Sequence, residues 1–170
     1  MQPLDCTTKE RTEEAILSTI ATDRIEKKIQ LRQPRSKVWR ALTDAQEFGN
    51  WFGAVFTEPF KPGVRLRGKV THKGYEHMTM DVTIERMEPE RLFSWRWQPG
   101  AAEPGQSFAD EPTTLVVFEL QEIPGGTLLT VVESGFDQIP LARRAKAFSD
   151  NEGGWTAQMK AIEEHLGRSS

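Results

Sequence analysis

LARRAKAFSDNEGGWTAQMKAIEEHLG, residues 141–167, is the stretch that decides the fold. Leu141, Ala145, Phe148, Glu152, Trp155, Met159, Ile162 and Leu166 recur at alternating spacings of four and three. That spacing predicts one continuous apolar stripe along a helix of about seven turns. Gly153 and Gly154 fall mid-stripe and are expected to weaken or kink the helix. A helix with so long a stripe must lie against something apolar, and the rest of the chain supplies it.

Upstream of this helix the pattern changes to period two. Ile25, Ile29 and Leu31 alternate with Glu26, Lys28 and Gln30, the signature of a half-buried strand. Pro34 suits the first turn of a helix, and Val38, Trp39, Ala41 and Leu42 follow at helical spacing. Thr43-Asp44 ends that helix and caps a second one over residues 45–51. Strands are then expected at residues 54–58, 64–71, 78–85, 93–97, 113–122 and 127–134, joined by turns at Pro62-Gly63, Lys73-Gly74, Glu88-Pro89-Glu90 and Pro124-Gly125-Gly126. A long loop over residues 99–112, carrying Phe108, exceeds ordinary hairpin length and reads as either a lid or a disordered segment.

The order is therefore strand, two short helices, about six antiparallel strands and one long helix. A sheet with one apolar face must cover that face, and the last helix is the element left to do it. The fold class is α+β: a curved antiparallel sheet of about seven strands wrapped around a long C-terminal helix. A straight helix cannot touch a strongly curved sheet everywhere, so a hollow between them is expected, and such hollows take ligands.

Composition bounds the partners. The chain has 170 residues, 37% of them hydrophobic and 28% charged, with 22 Lys and Arg against 25 Asp and Glu, a net charge of −3. This balance carries no basic patch for nucleic acid. No apolar run is long enough to span a bilayer. Lys9, Glu10, Arg11, Glu13 and Glu14 break up any secretory leader, and the single Cys6 fits a reducing compartment; a cytoplasmic location is inferred. Residues 8–21, with Ala15, Ile16, Leu17 and Ile20 on one side, read as a short helix that packs on the domain or on a second copy. The expected organisation is a helical extension over residues 1–22 and one domain over residues 23–168.

Four pieces in order resemble one family. They are Lys37-Val-Trp-Arg-Ala-Leu-Thr-Asp44 with Phe48 and Trp51-Phe52; Pro89-Glu-Arg-Leu-Phe-Ser-Trp-Arg-Trp97; Gly125-Gly-Thr-Leu-Leu-Thr-Val-Val-Glu133; and Glu152-Gly-Gly-Trp155. Together they resemble the START-like (SRPBCC) helix-grip superfamily and, within it, the AHSA domain, homologous to activators of the large heat-shock chaperone ATPase. The resemblance covers about residues 22–167. It implies a shared cavity rather than a shared catalytic motif, since the superfamily includes lipid carriers, polyketide cyclases, hormone receptors and chaperone regulators. The loop over residues 99–112 and the first 21 residues lie outside it.

The candidate cavity residues are Trp51, His77, Phe93, Trp95, Trp97, Phe118, Glu152 and Trp155. The six aromatics would stack against a flat ligand or fill the core. His77 would offer one polar group. Glu152 falls on the apolar stripe, so it must be wet, protonated or paired. In a wet hollow it would orient a ligand or act as general acid or base; otherwise it pairs with an inward Arg96 or Lys27. Asp81, Glu119 and Glu133 are expected to face solvent or neighbouring strands, and Arg65, Arg67 and Lys69 to form a solvated outer face. His72 and His77 with Glu76 flank a hairpin turn and are the residue types that hold a metal, but strand parity separates them unless the register matches, and no metal site is expected. No Walker, Gly-x-Gly-x-x-Gly or Gly-x-Ser-x-Gly pattern occurs, so no cofactor is expected. The favoured function is binding of a small apolar or aromatic molecule. A cyclase or hydratase using Glu152 and a chaperone co-regulator are the alternatives, and a homodimer is one use for the N-terminal helix.

Overall fold

The computed structural model describes residues 23–168. In order they form β1 (Arg24–Leu31), α1 (Arg35–Thr43), α2 (Ala45–Phe52), β2 (Ala54–Val55), β3 (Arg65–Val70), β4 (Thr79–Glu88), β5 (Leu92–Trp97), β6 (Thr114–Ile123), β7 (Gly126–Ser134), a 3-10 turn at Phe136–Gln138, and α3 (Leu141–Arg168). The strands make one 7-stranded sheet in the order β1-β7-β6-β5-β4-β3-β2, with every neighbouring pair antiparallel. The α1–α2 pair carries the chain from one edge of the sheet to the other. A register shift between Ile84 and Arg86 interrupts the β4–β5 ladder; such bulges bend a strand and increase its twist. This is the helix-grip arrangement, with α3 held in the sheet's concave face. The expected helix over residues 8–21 lies outside the described residues.

Local chemistry explains the elements. β1 buries Ile25 and Leu31 and exposes Glu26, Lys28 and Gln30, and charge on an edge strand discourages edge-to-edge association. Asp44 caps α2 by accepting from the backbone N–H of Glu47 at 2.8 Å. Gly53, at φ 92°, ends that helix in the left-handed region. Gly49 has no room for a side chain: a Cβ there would sit 2.1 Å from the carbonyl oxygen of Ala54. The expected strand over residues 54–58 is only two residues long, because Phe56 and Phe60 turn into the core around Pro59.

The phase of α3 departs from expectation. The helix runs unbroken through Gly153 and Gly154. Its buried residues are Ala147, Trp155, Met159, Ile162 and Leu166, whereas Leu141 is 79% exposed and Ala145 and Glu152 also face solvent. A straight helix repeats every 3.6 residues or so. Counting back from Trp155, the inward side drifts to Asn151 and Ala147 and leaves Glu152, Ala145 and Leu141 on the flank. Among the described residues, no helix is long and apolar enough to cross a membrane.

Candidate functional site

Between α3 and the sheet lies a cavity of about 810 Å³. Its aromatic wall is Trp51 and Phe52 from the end of α2, Trp97 from the end of β5 and Trp155 from α3. Met78 and Met80 add flexible thioethers from the β3–β4 hairpin and β4. The hollow exists because α3 is thin here: Gly154, Ala157 and Ala161 line it. The polar lining includes Arg67, His72, His77, Asp81, Asn151 and Gln158. Gln158 also ties the helices together, donating to the Phe52 carbonyl at 2.9 Å.

The segment between β5 and β6 closes one side, with Gly100, Ala101, Ala102 and Phe108 on the cavity. Arg143 of α3 holds the base of this loop. Its Nη1 donates to the Pro99 carbonyl at 2.9 Å, it pairs with Glu111, and its guanidinium carbon lies 3.6 Å from the centre of the Phe108 ring. His77 meets the Ala102 carbonyl at 2.8 Å through Nε2. Asp150 accepts from the Ala101 N–H at 3.3 Å, and Asn151 from the Gly100 N–H at 3.0 Å. Gly100 sits at φ 96°, where a Cβ would lie 2.7 Å from Arg143 Nη1, so glycine lets the loop press against α3.

The structure divides the expected site residues. Trp51, His77, Trp97 and Trp155 line the cavity. Phe93, Trp95 and Phe118 do not; they are at most 1% exposed and form the layer beneath. Trp95 packs on Trp97 and Trp155 with ring centres 5.5 and 6.3 Å apart, and Phe118 on Trp155 at 5.6 Å. Alternation along β5 and β6 identifies their inward face but not which inward residues meet the hollow. Glu152 is corrected outright. It points to solvent and pairs with Lys27 at 3.6 Å, the second of its two readings, so the acid–base role loses the residue it rested on. Phe52 joins the wall instead. The histidine pair gains no further ligand: among the described residues no group of three or more His, Cys, Asp and Glu could hold a metal.

Glu133 is the residue that sequence reasoning missed. Its side chain is fully buried on β7. Oε1 accepts from Trp155 Nε1 at 2.8 Å and from Asn151 Nδ2 at 2.8 Å. Oε2 accepts from Trp97 Nε1 at 2.8 Å, Thr114 Oγ1 at 2.6 Å and Asn151 at 3.0 Å. A buried carboxylate persists only where donors replace its water, and here side-chain donors do so without an ion pair among the described residues. With its lone pairs occupied, Glu133 does not serve a ligand directly. It fixes the two indoles, whose centres are 5.9 Å apart at 37°. The signal was present: Glu133 has the same strand parity as the buried Leu129 and Val131.

Asp81, at the rim, accepts from Arg65 at 2.9 and 2.7 Å and lies 3.4 Å from Arg67. The hydrogen-bonded Arg65 guanidinium holds its carboxyl below the ordinary aspartate range against the opposing effect of burial.

Residues 32–167 match the family model for activator of Hsp90 ATPase homolog 1-like protein. Solved structures agree on the fold. Protein MLL2253 from Mesorhizobium loti is 25% identical, with a TM-score of 0.68 over 86% of this chain and 98% of that one. DynU16, a protein in the dynemicin biosynthetic locus, is 22% identical with a TM-score of 0.66 over 87% of this chain and 48% of that one. The Aha1 dimer from Colwellia psychrerythraea is 14% identical with a TM-score of 0.63 over 84% and 95%. No curated protein matches the chain.

Proposed function

The chain belongs to the activator of Hsp90 ATPase homolog 1-like family, and on that premise we propose that it binds a small, flat, largely apolar molecule between α3 and the sheet. The observation that carries this reading is the cavity itself: about 810 Å³ walled by Trp51, Phe52, Trp97 and Trp155. That volume lies within the range of small-molecule sites, roughly 300–1,000 Å³. Aromatic faces favour a planar apolar body, and Met78 and Met80 adapt to its outline. Gln158, His77 and Ser107 offer hydrogen bonds to polar groups on the ligand's edge. The binding is non-covalent, and no step of bond chemistry is assigned to the site.

Anilinonaphthalene sulfonate, a flat aromatic probe, tests the reading through energy transfer from tryptophan. We expect saturable binding of one probe per chain. Ala157→Trp, which fills the hollow from an exposed position on α3, should weaken it at least tenfold, about 1.4 kcal/mol. Equal affinity in the two proteins would place the probe elsewhere and remove the support.

A further inference from the structure

Asn151 links the loop between β5 and β6 to the buried carboxylate that holds the indole pair. Its Nδ2 donates to both oxygens of Glu133, and its Oδ1 accepts from the Gly100 N–H. Glu133 in turn holds the N–H groups of Trp97 and Trp155. A primary amide is a side chain that donates and accepts at once, and this pairing fixes its orientation: the flipped amide would set an oxygen against the carboxylate and an NH₂ against an N–H. Aspartate at this place accepts only. Gly100 completes the fit, because the left-handed backbone there brings the loop onto α3.

We propose that Asn151 is a positioning residue that keys the loop between β5 and β6 to the Trp97–Trp155 pair through Glu133, so that loop closure and the spacing of the aromatic wall are set together. The assignment rests on the binding reading for its purpose but not for its geometry. A ligand that spreads or tilts the indoles pulls on Glu133, and Asn151 passes that displacement to Gly100. Selectivity follows: only a molecule thin enough to leave the indoles in place is covered by a closed loop.

Hydrogen exchange on the full chain tests this, read at the loop amides of residues 100–101 and, in the same sample, at the β6–β7 amides. Asn151→Asp keeps an acceptor for Gly100 but loses the donor to Glu133. Glu133→Gln never touches the loop. In both, the loop amides should exchange roughly tenfold faster, the loss of about one hydrogen bond, a rise clearly larger than any at the β6–β7 amides. If Glu133→Gln does not fold, Asn151→Asp decides alone. Wild-type loop protection in Asn151→Asp overturns the proposal, and so does a uniform rise across loop and sheet, which would mean a merely structural role. Adding anilinonaphthalene sulfonate separates the two claims. Slower loop exchange in the parent protein but not in Asn151→Asp supports the key. A probe that binds neither protein removes the binding reading and leaves the exchange comparison of the free proteins to judge the key.

Discussion

The Trp155 indole N–H reaches across the interface between α3 and the sheet to Oε1 of Glu133 at 2.8 Å, with both side chains buried. This bond sets the rotation of α3 about its axis. With Trp155 pinned, Met159, Ile162 and Leu166 continue the buried face, and Gly154, Ala157 and Ala161 come to line the hollow. Glu152 is turned to the flank, where Lys27 meets it.

Replacing Glu133 with alanine leaves the donors of Trp97, Trp155, Asn151 and Thr114 without their acceptor. Each orphaned buried donor costs about 1–3 kcal/mol, softened by rearrangement and water. The expected loss is roughly 3–5 kcal/mol, read as a lower urea midpoint. A loss under about 1 kcal/mol would show that the carboxylate anchors nothing.

Trp155→Phe and Trp155→Ala should separate. The phenyl ring keeps most of the packing on Phe52 and Phe118 and loses the hydrogen bond, a cost of about 1–2 kcal/mol. Alanine also opens a void, which brings the cost to about 3–5 kcal/mol. Probe affinity should fall in both variants while Trp155→Phe stays folded. Unchanged affinity in Trp155→Phe, measured on folded protein, would take Trp155 out of the ligand wall.

Gly49→Ala forces a methyl carbon to within 2.1 Å of a backbone oxygen. Backbone cannot step aside as a side-chain tip can, so the turn from α2 into β2 must distort, at about 3 kcal/mol. Gly153→Ala has open space around it and should stabilise α3 by up to about 1 kcal/mol, since alanine replaces glycine within a helix. Thermal melts of the two variants should move in opposite directions; a shared direction would refute the packing described at Gly49.

Asp81 gives the fold an acid-sensitive contact. Its carboxyl is lowered chiefly by the hydrogen bonds from Arg65. A carboxyl lowered on folding adds stability that is complete above its unfolded value, about pH 4, and is lost as pH falls through the folded value. Asp81→Asn should therefore narrow the gap between melting temperatures at about pH 6 and pH 3. The effect is small, because Arg65 is well exposed. An identical gap in both proteins would remove the contact from the acid response.

Period-two runs and turn residues made most of the fold legible. Ile25 and Leu31 on β1, Met80, Val82 and Ile84 on β4, and Asp44 as a cap all fell where alternation and turn chemistry place them. The site was legible only in part, for two physical reasons. A stripe written in spacings of four and three drifts against a repeat of about 3.6, so the phase of α3 near Glu152 could not be fixed without knowing that Trp155 is pinned. Strand parity separates two faces but not two layers on one face, so Trp97 at the cavity and Phe93 beneath it looked alike. Glu133 could have been found by trusting its parity with Leu129 and Val131 over its charge. The length of the loop flagged it as a cover, but its fastenings to Arg143, Asn151 and His77 depend on contacts distant in sequence.

Native mass spectrometry of the purified chain, beside denaturing spectra of the same sample, tests the central claim most directly. The cavity reading predicts a discrete added mass that is lost on denaturation, or that appears after incubation with an apolar extract, and that Ala157→Trp abolishes. A bare chain mass under both conditions, with no uptake by the parent protein, would contradict it and make the aromatic wall core packing alone.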